Sequence, residues 1–389
     1  MLKICAVTCV KDSHELLVMS IKHLVNNGIR DFYIYDHGSD PSISSFLPEQ
    51  FPSDSIRLSV IYKESPYFYQ REMVSVLTCL AILDGFDVSV GFDADEFWCS
   101  TVKGNSLAQQ IDLELSSGID ALRVPVLNYA QNNDVQDFNQ DGLLGCQYSV
   151  VPHVDTLRPT WEQVADGLPF IAIPFPSKVI ARLLPNIQYT DGQHDIIKDE
   201  GPGHIVDAIG ILVRHLPQPA KNHVKIKREQ GRRIISAGFG SLIGWQSQSL
   251  AYKTDEELNT YWNNNSWRLA EGQGPMVGSY SKIIKDDGLV EIGQQLMKLG
   301  NDWKMDLKLK DETPILSNKI SSDKLEHVIE QLVDNLGKTE RKVEKLVIAR
   351  DQANAMGNTF KSCLVNFIHL LRPIEKKLRA FRRAYFGNS

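Results

Sequence analysis

The chain has 389 residues, enough for one large domain with an appendage or for two domains. Its 42% hydrophobic and 23% charged residues are those of an ordinary globular protein, and a formal net charge of -6 argues against a dedicated nucleic-acid binder. Six cysteines (Cys5, Cys9, Cys79, Cys99, Cys146 and Cys363) stand without a C-x-x-C pair, so neither a zinc site nor a disulfide framework is signalled. No uninterrupted apolar run reaches the roughly 18 residues of a membrane-spanning helix. The opening Met-Leu-Lys-Ile-Cys runs directly into a strand pattern without a signal-peptide signature. These features predict a cytoplasmic protein, soluble or peripheral at the inner face of a membrane.

The first hundred residues alternate strand and helix patterns. The continuous apolar run 2–10 predicts a buried parallel strand. A helix follows over 15–27, with Leu16, Leu17, Ile21, Leu24 and Val25 on one face and Gly28 as its stop. Strands are predicted at 32–35 and 56–62, a second helix at 70–83 and a fourth strand at 88–92. Strand–helix–strand with short loops predicts an α/β fold, a mostly parallel sheet flanked by helices.

Farther on, 121–126, 178–184 and 208–215 read as strands, and 128–170 is rich in turn-forming polar residues suited to excursions over a site. Residues 220–300 read as mostly helical, with Trp245, Trp262, Trp267 and Trp303 as anchors. From 321 glycine and proline nearly vanish. Leu325, Ile329, Leu332, Leu336, Val343 and Leu346 then alternate four-and-three spacing, with Thr339 in one slot, as in a coiled-coil seam. The closing EKKLRAFRRAYF interleaves Lys376, Lys377, Arg379, Arg382 and Arg383 with Leu378, Phe381, Tyr385 and Phe386, a basic amphipathic end suited to an anionic membrane surface. The expected organisation is a catalytic α/β domain at 1–240, a helical extension packed on it at 241–320, and a long helical tail at 321–389 that offers self-association.

The chemistry is concentrated in VSVGFDADEFW, 88–98, where an apolar strand ends in Asp93, Asp95 and Glu96 between Phe92 and Phe97–Trp98. In an open parallel sheet, ligands bind beyond the carboxyl ends of the strands. Two carboxylates one residue apart there can hold a hard divalent cation that bridges a diphosphate. VTCVKD after the first strand and YDHGSD after the second converge on the same edge.

In this order, these segments resemble the GT-A-fold glycosyltransferases, nearest the family 2-like branch with a D-x-D-E-F signature. The similarity continues through PSKVIARLLPNIQYTDGQHDI and ILVRHLPQPAKNHVKIKREQG and covers residues 1 to about 235. The chain departs from the family pattern at Lys11–Asp12, His37 and Leu216. The resemblance implies that Thr8 and Asp36 line a nucleoside pocket, that Gln70 sits near the donor, and that Asp93 and Asp95 hold Mn²⁺ or Mg²⁺, with His215 as an additional metal ligand. Lys178, with Lys221 or Lys225, would neutralise phosphate. Such enzymes move a sugar from a nucleotide-diphosphate donor to a glycan or glycolipid hydroxyl with inversion, as in cell-surface polysaccharide or lipopolysaccharide synthesis. The base for that step is expected among Asp191, His194 and Asp195, with Glu162 and Asp166 as outside candidates. Two alternatives stay open: a nucleotidyltransferase, which the glycine-free TCVKDSHE loop disfavours, and a catalytically inactive scaffold or sugar-nucleotide-binding protein.

Overall fold

The computed structural model describes residues 1–302, apart from 52–55, 65–69, 116, 140, 154–167, 185–186, 199–201, 237–244 and 273. The expected coiled-coil seam, the basic end, Trp303, Glu162 and Asp166 lie outside the described residues.

The first sheet is built from β1 (Ile4–Val10), β2 (Asp31–Asp36), β3 (Arg57–Tyr62) and β4 (Val88–Gly91), all mutually parallel and ordered β3-β2-β1-β4. Helices α1 (His14–Asn26), α2 (Ile43–Gln50) and α3 (Gln70–Leu83) make the crossovers. Every residue of β1 is buried, which is why its sequence shows no alternation. Its even positions Ile4, Ala6 and Val10 join a core with Leu17, Ile21 and Leu24 of α1. Its odd positions Cys5, Val7 and Cys9 pack with Met73, Val74 and Leu77 of α3. Gly28 closes α1 with φ +90°, and a Cβ there would come within 3.0 Å of Ala108.

Beyond β4 the chain crosses into a second sheet. β5 (Glu96–Ser100) leads to α4 (Leu107–Glu114), which a Ser106–Gln109 capping box starts. β6 (Ala121–Val124) returns to the first sheet, and β7 (Val126–Asn132) and β8 (Tyr148–Val150) extend the second. β9 (Lys178–Arg182) inserts antiparallel between β4 and β6. β10 (Ile187–Tyr189) and β11 (Ile196–Lys198) form a small hairpin, and β12 (Ile205–Asp207) pairs β6 in parallel. The first sheet therefore reads β12-β6-β9-β4-β1-β2-β3, mostly parallel and flanked by helices, the predicted α/β architecture.

β13 (Ile211–His215) runs antiparallel to β5 and parallel to β7. α5 (Lys221–Ser236), α6 (Trp245–Ala251) and α7 (Asp255–Asn265) follow. Where the sequence predicted helix, residues 266–285 form strands: β14 (Ser266–Ala270), β15 (Gly274–Val277) and β16 (Ile283–Lys285). Gly272 and Gly274 both take positive φ there, a hairpin connection that no helix accommodates. α8 (Gly288–Asp302) ends the described chain.

The molecule divides into two units, Met1–Gln230 with Ser249–Lys308 and Gly231–Gln248 with Leu309–Ser389. Residues 249–302 belong to the same unit as both sheets. Among the described residues no helix is long and apolar enough to cross a membrane.

Candidate active site

The D-x-D segment is the crossing between the sheets. β4 ends at Gly91, β5 begins at Glu96, and Asp93 and Asp95 occupy the turn between them, closed by Glu96 N–H on the Asp93 carbonyl at 3.0 Å. The two aspartates then face different surroundings.

Asp93 is held from two sides. Gln70, the first residue of α3, donates through Nε2 to Oδ1 at 3.0 Å, and Lys178, the first residue of β9, donates through Nζ to Oδ2 at 2.7 Å. The same ammonium lies 2.8 Å from Glu96 Oε1, while Glu96 Oε2 accepts the Asp93 backbone N–H at 3.1 Å. The Lys178 and Glu96 side chains are only 4% and 2% exposed, so this is a buried ion pair whose partners satisfy each other. Burial pushes the Glu96 carboxyl up to about 7 against the pull of Lys178, and the Asp93 charge adds to the rise. Burial would lower the Lys178 ammonium, but Asp93 and Glu96 outweigh it and keep it charged.

Asp95 faces His215. Register places Glu96 opposite His215 across β5–β13, and His215 opposite Asn128 across β13–β7. Asn128 Nδ2 donates to the carbonyls of Ile171 at 3.0 Å and Ile173 at 3.4 Å, which fixes the amide orientation. Its Oδ1, 2.9 Å from His215 Nδ1, therefore accepts a proton from that nitrogen. In the neutral ring the Nε2 lone pair is turned to Asp95 Oδ1, 3.7 Å away. Lys227 of α5 places Nζ 4.0 Å from Asp95 Oδ2. Burial alone would raise the Asp95 carboxyl, but the positive charges that His215, Lys227 and His223 carry in acid hold it well below the usual carboxylate range. Burial and the Lys227 charge push His223 down to about 3, so it is neutral at physiological pH.

Asp95 and His215 are the residues of this half that could take part in holding a divalent cation. A carboxylate oxygen and an imidazole lone pair face each other at a separation longer than a hydrogen bond, a donor pair that suits manganese. The Asn128 contact is the outer-shell bond that metal-ligating histidines carry. Among the described residues no set of three or more His, Cys, Asp or Glu side chains is arranged around a common point, so the remaining ligands would be phosphate oxygens and water. Asp93, expected beside Asp95 as a ligand, has both oxygens engaged by Gln70 and Lys178.

The other expected residues divide. His194 is brought in: Nδ1–H donates to Ser177 O at 3.1 Å, leaving the Nε2 lone pair free to accept. Burial and the Lys178 charge push this imidazole down to about 4. Asp191 and Asp195 are exposed, and the Asp195 carboxylate accepts the Ile196 N–H at 2.8 Å. Among the described residues no hydrogen bond or ion pair ties either to the acidic turn. Asp36 is fully buried, with Oδ1 on Ser39 N–H and Oδ2 on Ile43 N–H, both at 2.8 Å. Its carboxylate thus organises its own loop. Thr8 lies on the α1-facing side of β1 with Ile4, Ala6 and Val10, inside the core. Lys225 is exposed on α5, and Lys227 is the residue of that helix that reaches Asp95.

The sequence assigns no role to Glu96, Asn128, His223, Lys227 or Gln193. Glu96 carried a signal, a third acid between buried aromatics. Asn128 carried none, because its partner is set by strand register.

No family model matches the chain, and no curated protein matches it in sequence. Among solved structures, it overlaps the crystal structure of S. aureus TarS 1–349 with 12% identity and a TM-score of 0.30, covering 68% of this chain and 78% of that one. It overlaps the crystal structure of S. aureus TarS with 11% identity and a TM-score of 0.28, covering 68% of this chain and 48% of that one. At this degree of overlap the likeness carries no functional weight.

Proposed function

We propose that the chain is a metal-dependent, inverting glycosyltransferase that uses a nucleotide-diphosphate sugar and a glycan or glycolipid hydroxyl. The observation that carries this reading is the Asn128–His215–Asp95 line at the end of β4, an imidazole lone pair aimed at a carboxylate on the ligand-binding edge of a mostly parallel sheet. It is supported by the resemblance of residues 1–235 to the GT-A fold.

Asp95 and His215 would hold Mn²⁺ or Mg²⁺, which when bound offsets the negative charge that develops on the departing nucleoside diphosphate. The chain's own residues do the rest. Lys178, kept cationic by Asp93 and Glu96, fixes the acidic turn and adds positive potential beside it. Gln70 links Asp93 to the loop that carries His194, donating to Asp93 and accepting the Gly192 N–H at 3.2 Å. The acceptor oxygen forms its bond to the anomeric carbon as the bond from that carbon to the phosphate oxygen breaks. The acceptor proton goes to His194 Nε2, the unprotonated nitrogen of a ring that stays neutral above about pH 4.

A thermal-shift panel of UDP, GDP, CDP and dTDP, with and without Mn²⁺, on wild type and Asp95→Ala tests this. Stabilisation by one nucleotide, only with metal and only in wild type, is expected. No stabilisation by any nucleotide would sink the reading.

A further inference from the structure

Gln193 combines two unusual features beside the acidic turn. It is a non-glycine residue in the left-handed region, with φ +57°. Its side chain is fully buried, yet neither Nε2 nor Oε1 has a hydrogen-bond partner among the described residues. Both an uncommon backbone conformation and an orphaned buried amide oppose folding. Each such group in a native protein calls for an explanation.

Its position supplies one. The amide packs on Gly91, the last residue of β4; a Cβ on Gly91 would lie 2.9 Å from Gln193 Oε1. The residues on both sides of Gln193 are tied to Asp93. On one side Gly192 N–H donates to Gln70 Oε1, and Gln70 Nε2 donates to Asp93. On the other, His194 Nδ1–H donates to Ser177 O, and Lys178, the next residue, is ion-paired to Asp93. A closed ring of contacts therefore holds an unpaired donor and an unpaired acceptor next to the strand end that carries Asp93.

We propose that Gln193 is a specificity residue that recognises a hydroxyl of the donor's sugar ring. One amide offers the donor–acceptor pair that a hydroxyl needs, and it stands against Gly91 at the strand end that leads to Asp93. This inference rests on the glycosyltransferase reading and adds the residue that tells the sugar from the bare diphosphate.

The test compares wild type, Gln193→Met and Gln193→Gly. Met keeps the length and removes the amide; Gly removes the amide and accepts the positive φ without strain. Melting temperatures are measured without ligand. Affinities with Mn²⁺ are then measured by calorimetry for the nucleoside diphosphate that stabilises wild type and for its glucose, galactose and N-acetylglucosamine conjugates. The variants are expected to melt at or above the wild-type temperature. They should bind the nucleoside diphosphate within about twofold of wild type, and bind the preferred nucleotide sugar about tenfold more weakly. Unchanged affinity for every nucleotide sugar overturns this inference alone. So does a lowered melting temperature with equal losses for diphosphate and sugar conjugate, the mark of a structural amide. Failure of wild type itself to bind any nucleotide overturns the glycosyltransferase reading and this inference together.

Discussion

Asn128 Oδ1 accepts the Nδ1 proton of His215 over 2.9 Å, and that contact decides which ring nitrogen faces Asp95. Asn128 is itself 4% exposed and anchored by two carbonyls, so the orientation is preset by the fold. An imidazole positioned in this way offers a lone pair without a reorganisation cost when a cation arrives.

Asn128→Ala frees the His215 ring to change tautomer. The Mn²⁺ concentration for half-maximal activity is expected to rise about 10–100-fold, with a smaller change in the KM for donor at saturating metal. Metal titrations of initial rate check this; an unchanged metal requirement would remove Asn128 from the site.

Lys178→Met leaves Glu96 and Asp93 without their shared cation. Breaking a buried pair in this way costs about 3–5 kcal/mol. Glu96 already titrates near 7 in the fold, above its ordinary 4.5, because burial favours its neutral form. Without Lys178 that preference strengthens. The loss should therefore be larger at pH 8, where Glu96 must stay charged or take up a proton at a cost, than at pH 5, where it is neutral. Urea melts at the two pH values read the difference.

His194 as base predicts the acid side of the pH profile. Its value in the fold, about 4, lies below the ordinary 6.5, so the unprotonated form dominates from about pH 5 upward. With donor binding unaltered, the His194 contribution to kcat/KM should stay flat from pH 5.5 to 7.5 and fall only as pH approaches 4. His194→Gln should lower kcat by about 10²–10⁴. An acid limb centred at 6.5, or a His194→Gln variant with wild-type kcat, would assign the proton elsewhere.

Asp36→Ala removes the acceptor of two loop amides, Ser39 N–H and Ile43 N–H. A stability loss of about 2–5 kcal/mol is expected, since hydrogen bonds to a charged group contribute more than neutral ones. Donor KM should be unchanged in whatever fraction remains folded. A raised KM at unchanged melting temperature would restore the nucleoside-pocket role that the sequence suggested.

The sequence by itself determined the alternation of strand and helix through the first hundred residues, the stop at Gly28 and the placing of Asp93 and Asp95 at a strand end. These are local properties: periodicity, turn chemistry and the break of an apolar run are written within a few residues of one another. The strands at 266–285 were hidden because each is short and half-exposed and owes its conformation to neighbours across the sheet. Only the tertiary structure decided what each acid does. Lys178, 85 positions from Asp93, reaches it because β9 inserts beside β4. His215 and Asn128, 87 positions apart, meet because β13 and β7 pair in one register. A shift of one residue would turn those side chains to the opposite face. Asp36 ends one parallel strand and Asp95 stands just beyond the end of another, so the two look alike by their place in the chain. One turns its oxygens inward to backbone amides and the other meets an imidazole, because hydrogen-bond partners are assigned by position in space and not by position in the chain.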